Sequence, residues 1–479
     1  MYKHGAYGSL VPTQDTFPPS GVATIPVYIG TAPVQQLSDR AKAINKPILI
    51  NSFDDAKSKI GYDDNWDVFT LCEVVYAHFK NRIMPIGPMI VINVLDPTTD
   101  KKTGSKSVSL TNKKGYIDAP VILSTIEITD KVKDTDYTAE YTIDGRILIT
   151  DLKGTLGNPV TVSYSEIDIS KVADTDIIGG MEADGTRLGL RCIELINQMF
   201  GMVPSILAAP GWSQKPTVAA AMITSAQKIN GHWDTICVAD VDSSAAKDID
   251  AAIAWIDTNL YRSNVLKVGW PKAKFGEREY WLSTLMALRM QQTDYINGNV
   301  PFESPSNKTI EVTGTVLADG TEIFFDEVQA NELNASGITT INYRSGNWVL
   351  WGPHMSNFKD GDDNIAPEDM FDCSVRMGRF LMNTFQRNYA LDVDKPLNRS
   401  HVDTILNDAQ TWLNSLIADG KMLYGKILFL ETSNPVSSIV KGDFKFDIKT
   451  TYTPAGKSLT FQVQYTNQGL NNLTGGENA

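Results

Sequence analysis

The sequence predicts an α/β core interrupted by an inserted all-β domain and followed by an α+β C-terminal domain, with extended N- and C-terminal arms. Three observations carry that reading. Short apolar strands alternate with helices of about a dozen residues, which implies a layered α/β sheet. At Asp96-Pro97-Thr98-Thr99-Asp100 the composition turns to Thr, Val, Ile and Tyr in period-two alternation, the pattern of half-buried strands. In the last third, two amphipathic helices lead into a buried strand and two alternating segments. The divisions that follow are 1–20 for the N-terminal arm, 21–95 with 169–352 for a discontinuous core, 96–168 for the insert, 353–465 for the C-terminal domain and 466–479 for the C-terminal arm.

Along the chain, Tyr7 to Val11 reads as extended. Phe17-Pro18-Pro19-Ser20 is a stiff break, because proline fixes φ and restricts the residue before it. The core opens on an apolar strand, Ile25 to Ile29, ended by Gly30-Thr31-Ala32-Pro33. Ile48 to Ile50 and Met89 to Leu95 read as strands, and Phe69, Val74, Val75 and Phe79 recur near helical spacing between them. In the insert, Tyr137, Ala139, Tyr141 and Ile143 share one face, and Val160, Val162 and Tyr164 repeat the pattern. Asp144-Gly145 is a hairpin-turn signal.

Beyond the insert, Leu188, Cys192, Ile193, Ile196 and Phe200 form a helical stripe, and Val203 to Ala209 is a buried strand stopped by Pro210-Gly211-Trp212. Val218 to Ile229 and Asp248 to Asn259 read as helices, Thr235 to Ala239 and Val265 to Val268 as strands. Phe371, Val375, Gly378, Met382 and Phe385 make one amphipathic helix. Val402, Ile405, Leu406, Ala409, Leu413 and Leu416 make another, with Ser400 placed to cap it and Gly420 to end it. Leu423 to Leu430 is a strand, and a hairpin follows. Its strands alternate Phe444, Phe446 and Ile448, then Leu459, Phe461, Val463 and Tyr465, against polar neighbours. Asn467 to Ala479 is rich in Gly and Asn, hence flexible by composition. No internal repeat is evident.

The composition is that of a globular protein: 479 residues, 42% apolar and 21% charged. With 43 basic against 56 acidic residues the formal charge is −13, which argues against nucleic acid as a partner. Leu195 to Gln214, the longest uncharged stretch, carries Asn197, Gln198, Pro204 and Pro210, so no membrane insertion is expected. Met1-Tyr2-Lys3-His4 lacks the apolar run of a secretory leader. Cys72, Cys192, Cys237 and Cys373 are widely spaced and read as buried thiols made in a reducing cytoplasm.

Motifs for chemistry are few. Gly456-Lys457-Ser458 resembles the end of a phosphate-binding loop, but its flanks read as strands, which makes it a hairpin turn. Asp360, Asp362 and Asn364 open like a calcium loop, yet Ile365 and Phe371 stand where glycine and glutamate are required, so an acidic surface loop is expected. His4, His78, His232, His354 and His401 show no ligand spacing and read as surface or cap residues. Asp240 and Asp242 follow a strand and could hold Mg²⁺ or Mn²⁺ in a metal-dependent α/β transferase or phosphohydrolase. The plainer alternative makes Asp242 the cap of the next helix. No cofactor, metal site or catalytic residue is expected on the first reading.

The open-edged hairpin and the two extended ends point to strand exchange, in which an end of one subunit adds to the exposed sheet of the next. The residues expected to pair between subunits are Tyr7, Leu10, Val11, Phe444, Phe446, Ile448, Leu459, Phe461, Val463 and Tyr465. An ordinary edge strand beside tails held within one subunit is the alternative.

At this point several segments resemble one family. They are Val27-Tyr28-Ile29-Gly30-Thr31-Ala32-Pro33 after a Pro-rich spacer, Ala208-Ala209-Pro210-Gly211-Trp212, Gly269-Trp270-Pro271-Lys272 and Gly298-Asn299-Val300-Pro301. Ser304 to Lys308, Asn347 to Gly352, Asn434-Pro435, Gly442-Asp443-Phe444, Tyr452-Thr453-Pro454 and Leu459-Thr460-Phe461 follow in order. The chain is similar to contractile-tail sheath proteins of bacteriophages and phage-tail-like bacteriocins, across the core and the C-terminal domain. The resemblance implies a non-enzymatic virion tail component, built as stacked hexameric rings around a tail tube, with the baseplate and tail terminator as further partners. It implies contraction that drives the tube through a cell envelope, with Phe17 to Ser20 and Asn467 to Gly469 as hinges. The helix from about Glu368 to Tyr389 is expected near the tube, with Arg376, Arg379 and Arg387 offering breakable charge contacts. A solvated helix face is the alternative for these arginines. The insert is expected to decorate the outside.

Overall fold

A computed structural model describes residues 23–473. The chain enters on β1 (Pro26–Gly30), continues through β2 (Pro47–Ile50), α1 (Phe53–Ile60) and α2 (Thr70–Phe79), and reaches β3 (Met89–Asn93). β1 and β3 are buried along their length, as strands covered on both faces must be. Ser52 starts α1 by accepting from Asp55 N, and Gly61 at φ 78° ends it.

The insert holds β4 (Lys101–Val108), β5 (Lys114–Ile117), β6 (Tyr137–Tyr141), β7 (Ile147–Asp151) and β8 (Val160–Ile167). They form two small antiparallel sheets, β4–β8 and β5–β7–β6, around a core of their own that includes Val108, Ile117, Tyr137, Ile147 and Val162. Lys101, Lys102 and Lys106 line β4, the kind of charge that keeps an edge strand from recruiting another. The Asp144-Gly145 turn closes β6 onto β7, with Thr142 N donating to Arg146 O at 2.8 Å. Ile143 departs from expectation: it sits in the turn and is exposed, because the strand ends at Tyr141. The turn rests on the core, where Asp64 N donates to Asp144 O and Gly145, at φ 89°, leaves no space for a Cβ beside Asp63.

The chain returns through α3 (Asp174–Ile178), the short pair β9 (Gly180–Met181) and β10 (Arg187–Leu188), α4 (Ile196–Phe200) and β11 (Ile206–Ala208). The helix expected from Leu188 is instead a 3-10 run, Gly189–Leu195, before α4; Gly189, at φ 54°, lies in the left-handed region that a right-handed first turn does not use. Then follow α5 (Pro216–Ser225), β12 (Ile236–Asp240), α6 (Ile249–Thr258), β13 (Leu266–Gly269), β14 (Lys272–Phe275), β15 (Arg278–Tyr280), α7 (Leu282–Ile296) and β16 (Gly314–Val316). α8 (Glu327–Ala335), β17 (Ile338–Arg344) and β18 (Asn347–Trp351) close the core. Its eight-stranded sheet runs β18-β17-β13-β12-β11-β1-β3-β2. The inner pairings are parallel, and antiparallel strands stand at both edges. Both edges are covered: Leu350 N donates to Lys308 O at 3.1 Å, and Lys59 Nζ donates to Leu49 O at 2.6 Å. This is the layered α/β arrangement read from the alternation.

α7 occupies the centre, with every residue from Leu282 to Asp294 buried. A helix enclosed on all sides cannot leave the donors of its first turn to water. Two carboxylates from other elements meet them. Ser283 N donates to Asp240 Oδ1 at 2.8 Å, Trp281 N to Glu73 Oε1 at 2.9 Å, and Thr284 Oγ1 to Glu73 Oε1 at 2.7 Å. Further along, Gln291 Nε2 donates to Thr24 O and Pro88 O, and Gln292 Nε2 to Met84 O. Burial pushes Glu73 up to about 8 from an ordinary 4.5, and Asp240 up to about 6.

Folding therefore favours the neutral acids, holding protons that the unfolded chain releases. Stability from this site is full below about pH 4.5 and is lost as pH rises to about 8. Glu73→Gln keeps the accepting oxygen and removes the charge. It is expected to flatten the fall in stability between about pH 5 and pH 8 by up to roughly 1.4 kcal/mol per pH unit. Denaturant melts across that range measure the slope, and an unchanged slope refutes the role given to Glu73.

Candidate assembly interface

None of the chemistry suspected from motifs assembles. Asp240 is buried and spends its carboxylate on Ser283 N, Ser283 Oγ and Ser213 Oγ. Asp242 accepts from Ser244 N and Ser244 Oγ. It does not cap α6; Asp248 does, accepting from Ala251 N at 2.8 Å, because it stands directly before the first turn. Among the described residues, no group of three or more His, Cys, Asp or Glu could hold a metal ion. His78 and His354 are buried rather than at the surface, each bonded by Nδ1 to a backbone carbonyl, Ile86 O and Met370 O. Burial lowers both to about 4, so each is a neutral core residue. All four cysteines are free and buried.

The last segment of the chain contributes α9 (Asp372–Asn388), α10 (Arg399–Ala418), β19 (Met422–Leu428), α11 (Val436–Ile439) and β20 (Asp447–Tyr452). Met377, Leu381, Leu413, Leu416 and Met422 form a hydrophobic cluster separate from the main one. α10 is capped by Asn398, which accepts from His401 N at 3.0 Å, and not by Ser400. The helix begins at Arg399, so Ser400 already lies inside it.

α9 is held to the core by two buried ion pairs of opposite polarity, one turn apart. Lys267 of the core meets Asp372 at 2.9 Å, both fully buried, and Lys267 also donates to Gly352 O and His354 O. Arg376 meets Asp294 of α7, whose Oδ2 also accepts from Thr24 Oγ1 at 2.7 Å. This corrects the expectation for Arg376: at 5% exposure, with its guanidinium on Asp294, it is an internal strut and not a charge on an outer helix face. Arg379 is half-buried and donates to Val375 O. Arg387 is exposed.

The expected hairpin is also corrected. β20 pairs with β19 in antiparallel register, Ile448 opposite Ile427 and Lys449 opposite Lys426. Phe444 and Phe446 precede β20 and lie half-buried, with Phe446 against Phe429. Leu459 to Tyr465 forms no strand. The chain is drawn away first: Thr453 Oγ1 donates to Gly420 O, and Lys457 reaches Asp360 at 3.7 Å and the face of Phe358. Gly456-Lys457-Ser458 is therefore not a hairpin turn. Leu459, Phe461, Val463 and Tyr465 are left 77% to 96% exposed. Leu423, Tyr424, Val436 and Val440 of the same C-terminal segment are exposed as well.

The two edges of the β19–β20 ladder differ. Gln410 of α10 donates from Nε2 to Gly425 O at 2.9 Å and accepts from Ile427 N at 3.2 Å, so a side-chain amide fills the edge of β19. Since Gly425 and Ile427 face away from β20, their partners Thr450 and Ile448 present their own peptide groups on the opposite edge. No strand covers that edge among the described residues. Nothing in the sequence singled out Gln410, Glu73 or Asp294, whose partners lie far along the chain or in backbone. Tyr7, Leu10, Val11 and the Phe17–Ser20 break lie outside the described residues. Asn467 to Leu473 forms a short 3-10 run where flexible chain was expected.

No family model matches the chain. It is similar to the tail sheath protein of Burkholderia phage BcepMu, 25% identical over 491 residues that cover 95% of this chain and 93% of that protein. A putative prophage major tail sheath protein of Pseudomonas aeruginosa strain UCBPP-PA14 is 26% identical over 321 residues, covering 65% of this chain and 78% of the relative. A chain in the structure of the anti-feeding prophage baseplate shares the fold with TM-score 0.59 at 12% identity, covering 97% of this chain and 99% of its own. A chain of the PVC sheath complex in the contracted state, from an extracellular contractile injection system, shares it with TM-score 0.54 at 13% identity, over 97% and 98%. The sequence resemblance to contractile-tail sheaths thus extends to curated relatives, and the α/β fold to structures from contractile particles.

Replacing Arg376 with Met strands the Asp294 carboxylate in the interior and is expected to cost about 3–5 kcal/mol. Arg376→Met combined with Asp294→Asn removes both charges and is expected to recover most of that loss. Urea melts of the single and double variants measure it, and strictly additive losses refute the pairing.

Proposed function

We propose that this chain is the structural subunit of a contractile tail sheath, which polymerises around a tail tube and contracts to drive the tube through a target envelope. One observation carries the reading within the molecule: a two-stranded ladder with one edge open, followed by an alternating apolar segment that finds no partner strand among the described residues. Similarity to tail sheath proteins along nearly the whole length supports it.

A neighbour's strand laid on β20 would bond the outward peptide groups of Ile448 and Thr450 and cover the exposed apolar side chains. Leu459 to Tyr465 of one copy is one donor, and the arm carrying Tyr7, Leu10 and Val11 of another is the second, each strand laid on the last. Half a dozen ladder bonds at about 1 kcal/mol each make a firm clasp. Such clasps keep neighbours tethered while subunits rotate past one another, because a tethered partner stays at high local concentration. The work of contraction then comes from a deeper packing minimum in the contracted lattice, with no hydrolysed cofactor. Of the arginine set, Arg387 alone is exposed, which supports it over Arg376 and Arg379 as the residue that would touch the tube. The particle is assembled in the host cytoplasm, with hexameric rings, a baseplate and a tail terminator as its setting.

The full-length protein is expected to form hollow cylinders in negative-stain microscopy. Deleting Met1 to Ser20, or Leu459 to Ala479, should leave folded monomers with unchanged melting temperature. Solution scattering from a compact monomer at every concentration, with both ends packed on their own subunit, would sink the proposal.

A further inference from the structure

A cavity of about 90 Å³ opens where one face of α9, bearing Arg376, Arg379, Asn383 and Arg387, meets the beginnings of β11 and β12. Its wall holds donors that lack acceptors. Arg376 is 5% exposed; one of its nitrogens serves Asp294 and the other, Nη1, has no acceptor. Arg379 donates from Nη1 to its own helix, and its buried Nε likewise has none. The neighbouring acceptors are largely committed. Asp234 Oδ1 takes Lys228 N at 2.6 Å, Asn383 Oδ1 takes Asp234 N at 3.2 Å, and Ser205 Oγ takes Ile25 N at 3.3 Å. Among the buried oxygens of the wall one, Asp294 Oδ1, is left over against those two nitrogens, with the exposed guanidinium of Arg387 at the rim. Three arginines and two aspartates line the space, an excess of one positive charge. A charged donor held out of water without an acceptor is costly, so a native structure that keeps one has a use for it.

We propose that this cavity is a socket for a carboxylate, supplied by the acidic loop Asp360-Gly361-Asp362-Asp363 of a second copy. One negative charge balances the wall, which favours a carboxylate over a doubly charged phosphate. The loop offers three carboxylates in four exposed residues. Asp360 faces Lys457 and Asp362 accepts from Asn364 N, while Asp363 has no partner among the described residues. In its own chain the loop forms no part of the cavity wall. Socket and plug are different patches of one chain, so their contact is head-to-tail, the kind that closes into rings or runs on as a filament. The choice of a second copy rests on the sheath reading above.

Full-length protein tests this by charge exchange. Arg379→Glu, and separately Asp362→Lys with Asp363→Lys, are each expected to raise the concentration needed for polymerisation about tenfold, and the combination to restore it to within about threefold. A combination no better than the single changes overturns the second-copy assignment. A measurement on the unassembled subunit separates the socket from the polymer. A synthetic peptide of residues 358–366 is expected to raise the melting temperature of the wild type and not of Arg379→Met. The same peptide with its aspartates replaced by asparagine should be inert. If the protein does not polymerise, the sheath reading falls and the second copy with it, while the peptide result decides the socket. Equal shifts from both peptides, or none from either, overturn it; a peptide shift without rescue by charge exchange hands the socket to a different acidic partner.

Discussion

The molecule is organised around a helix that is buried along nearly its whole length. α7 is enclosed from Leu282 to Asp294, so the polar ends that a surface helix leaves to solvent must be met by other parts of the chain. Glu73 comes from α2 and Asp240 from β12, and both converge on the first turn of α7. At the far end Asp294 joins Thr24, at the root of the N-terminal arm, to Arg376 of α9. Three carboxylates tie the two halves of a discontinuous core to each other and to the C-terminal segment. None of these ties passes through the segment between β3 and α3.

The second constraint is register. Lys267 with Asp372, and Asp294 with Arg376, put opposite charges in alternating order along one helix face. Sliding α9 by one turn would bring Arg376 against Lys267, two buried like charges, so the helix has one seat. Core and C-terminal segment are therefore stiffly joined. The surfaces left open among the described residues are peripheral: the free edge of β20, the apolar residues of the tail and the rim of the arginine-lined cavity.

Much of the fold was legible because it is written locally. Short buried strands such as Ile236–Asp240 and Leu266–Gly269 stand out as apolar runs between helices, and Asp144-Gly145 marks its turn by backbone preference alone. The candidate site was legible only in part. The alternation of Leu459, Phe461, Val463 and Tyr465 was plain, yet alternation is a request for a partner strand and the described residues supply none. Arg376 looked like a surface charge because nothing near it in sequence announces Asp294, eighty-two positions away. Gln410 looked like any polar residue on a helix, since its role depends on which backbone lies opposite.

That glutamine has a consequence for what kind of object many copies make. By imitating a peptide group it retires one side of the β19–β20 ladder and leaves that ladder a single open margin among the described residues. A building block with two such margins would branch and gel at random. One with a single margin and one strand to lay on it has direction, so copies joined through that ladder would form lines and not networks.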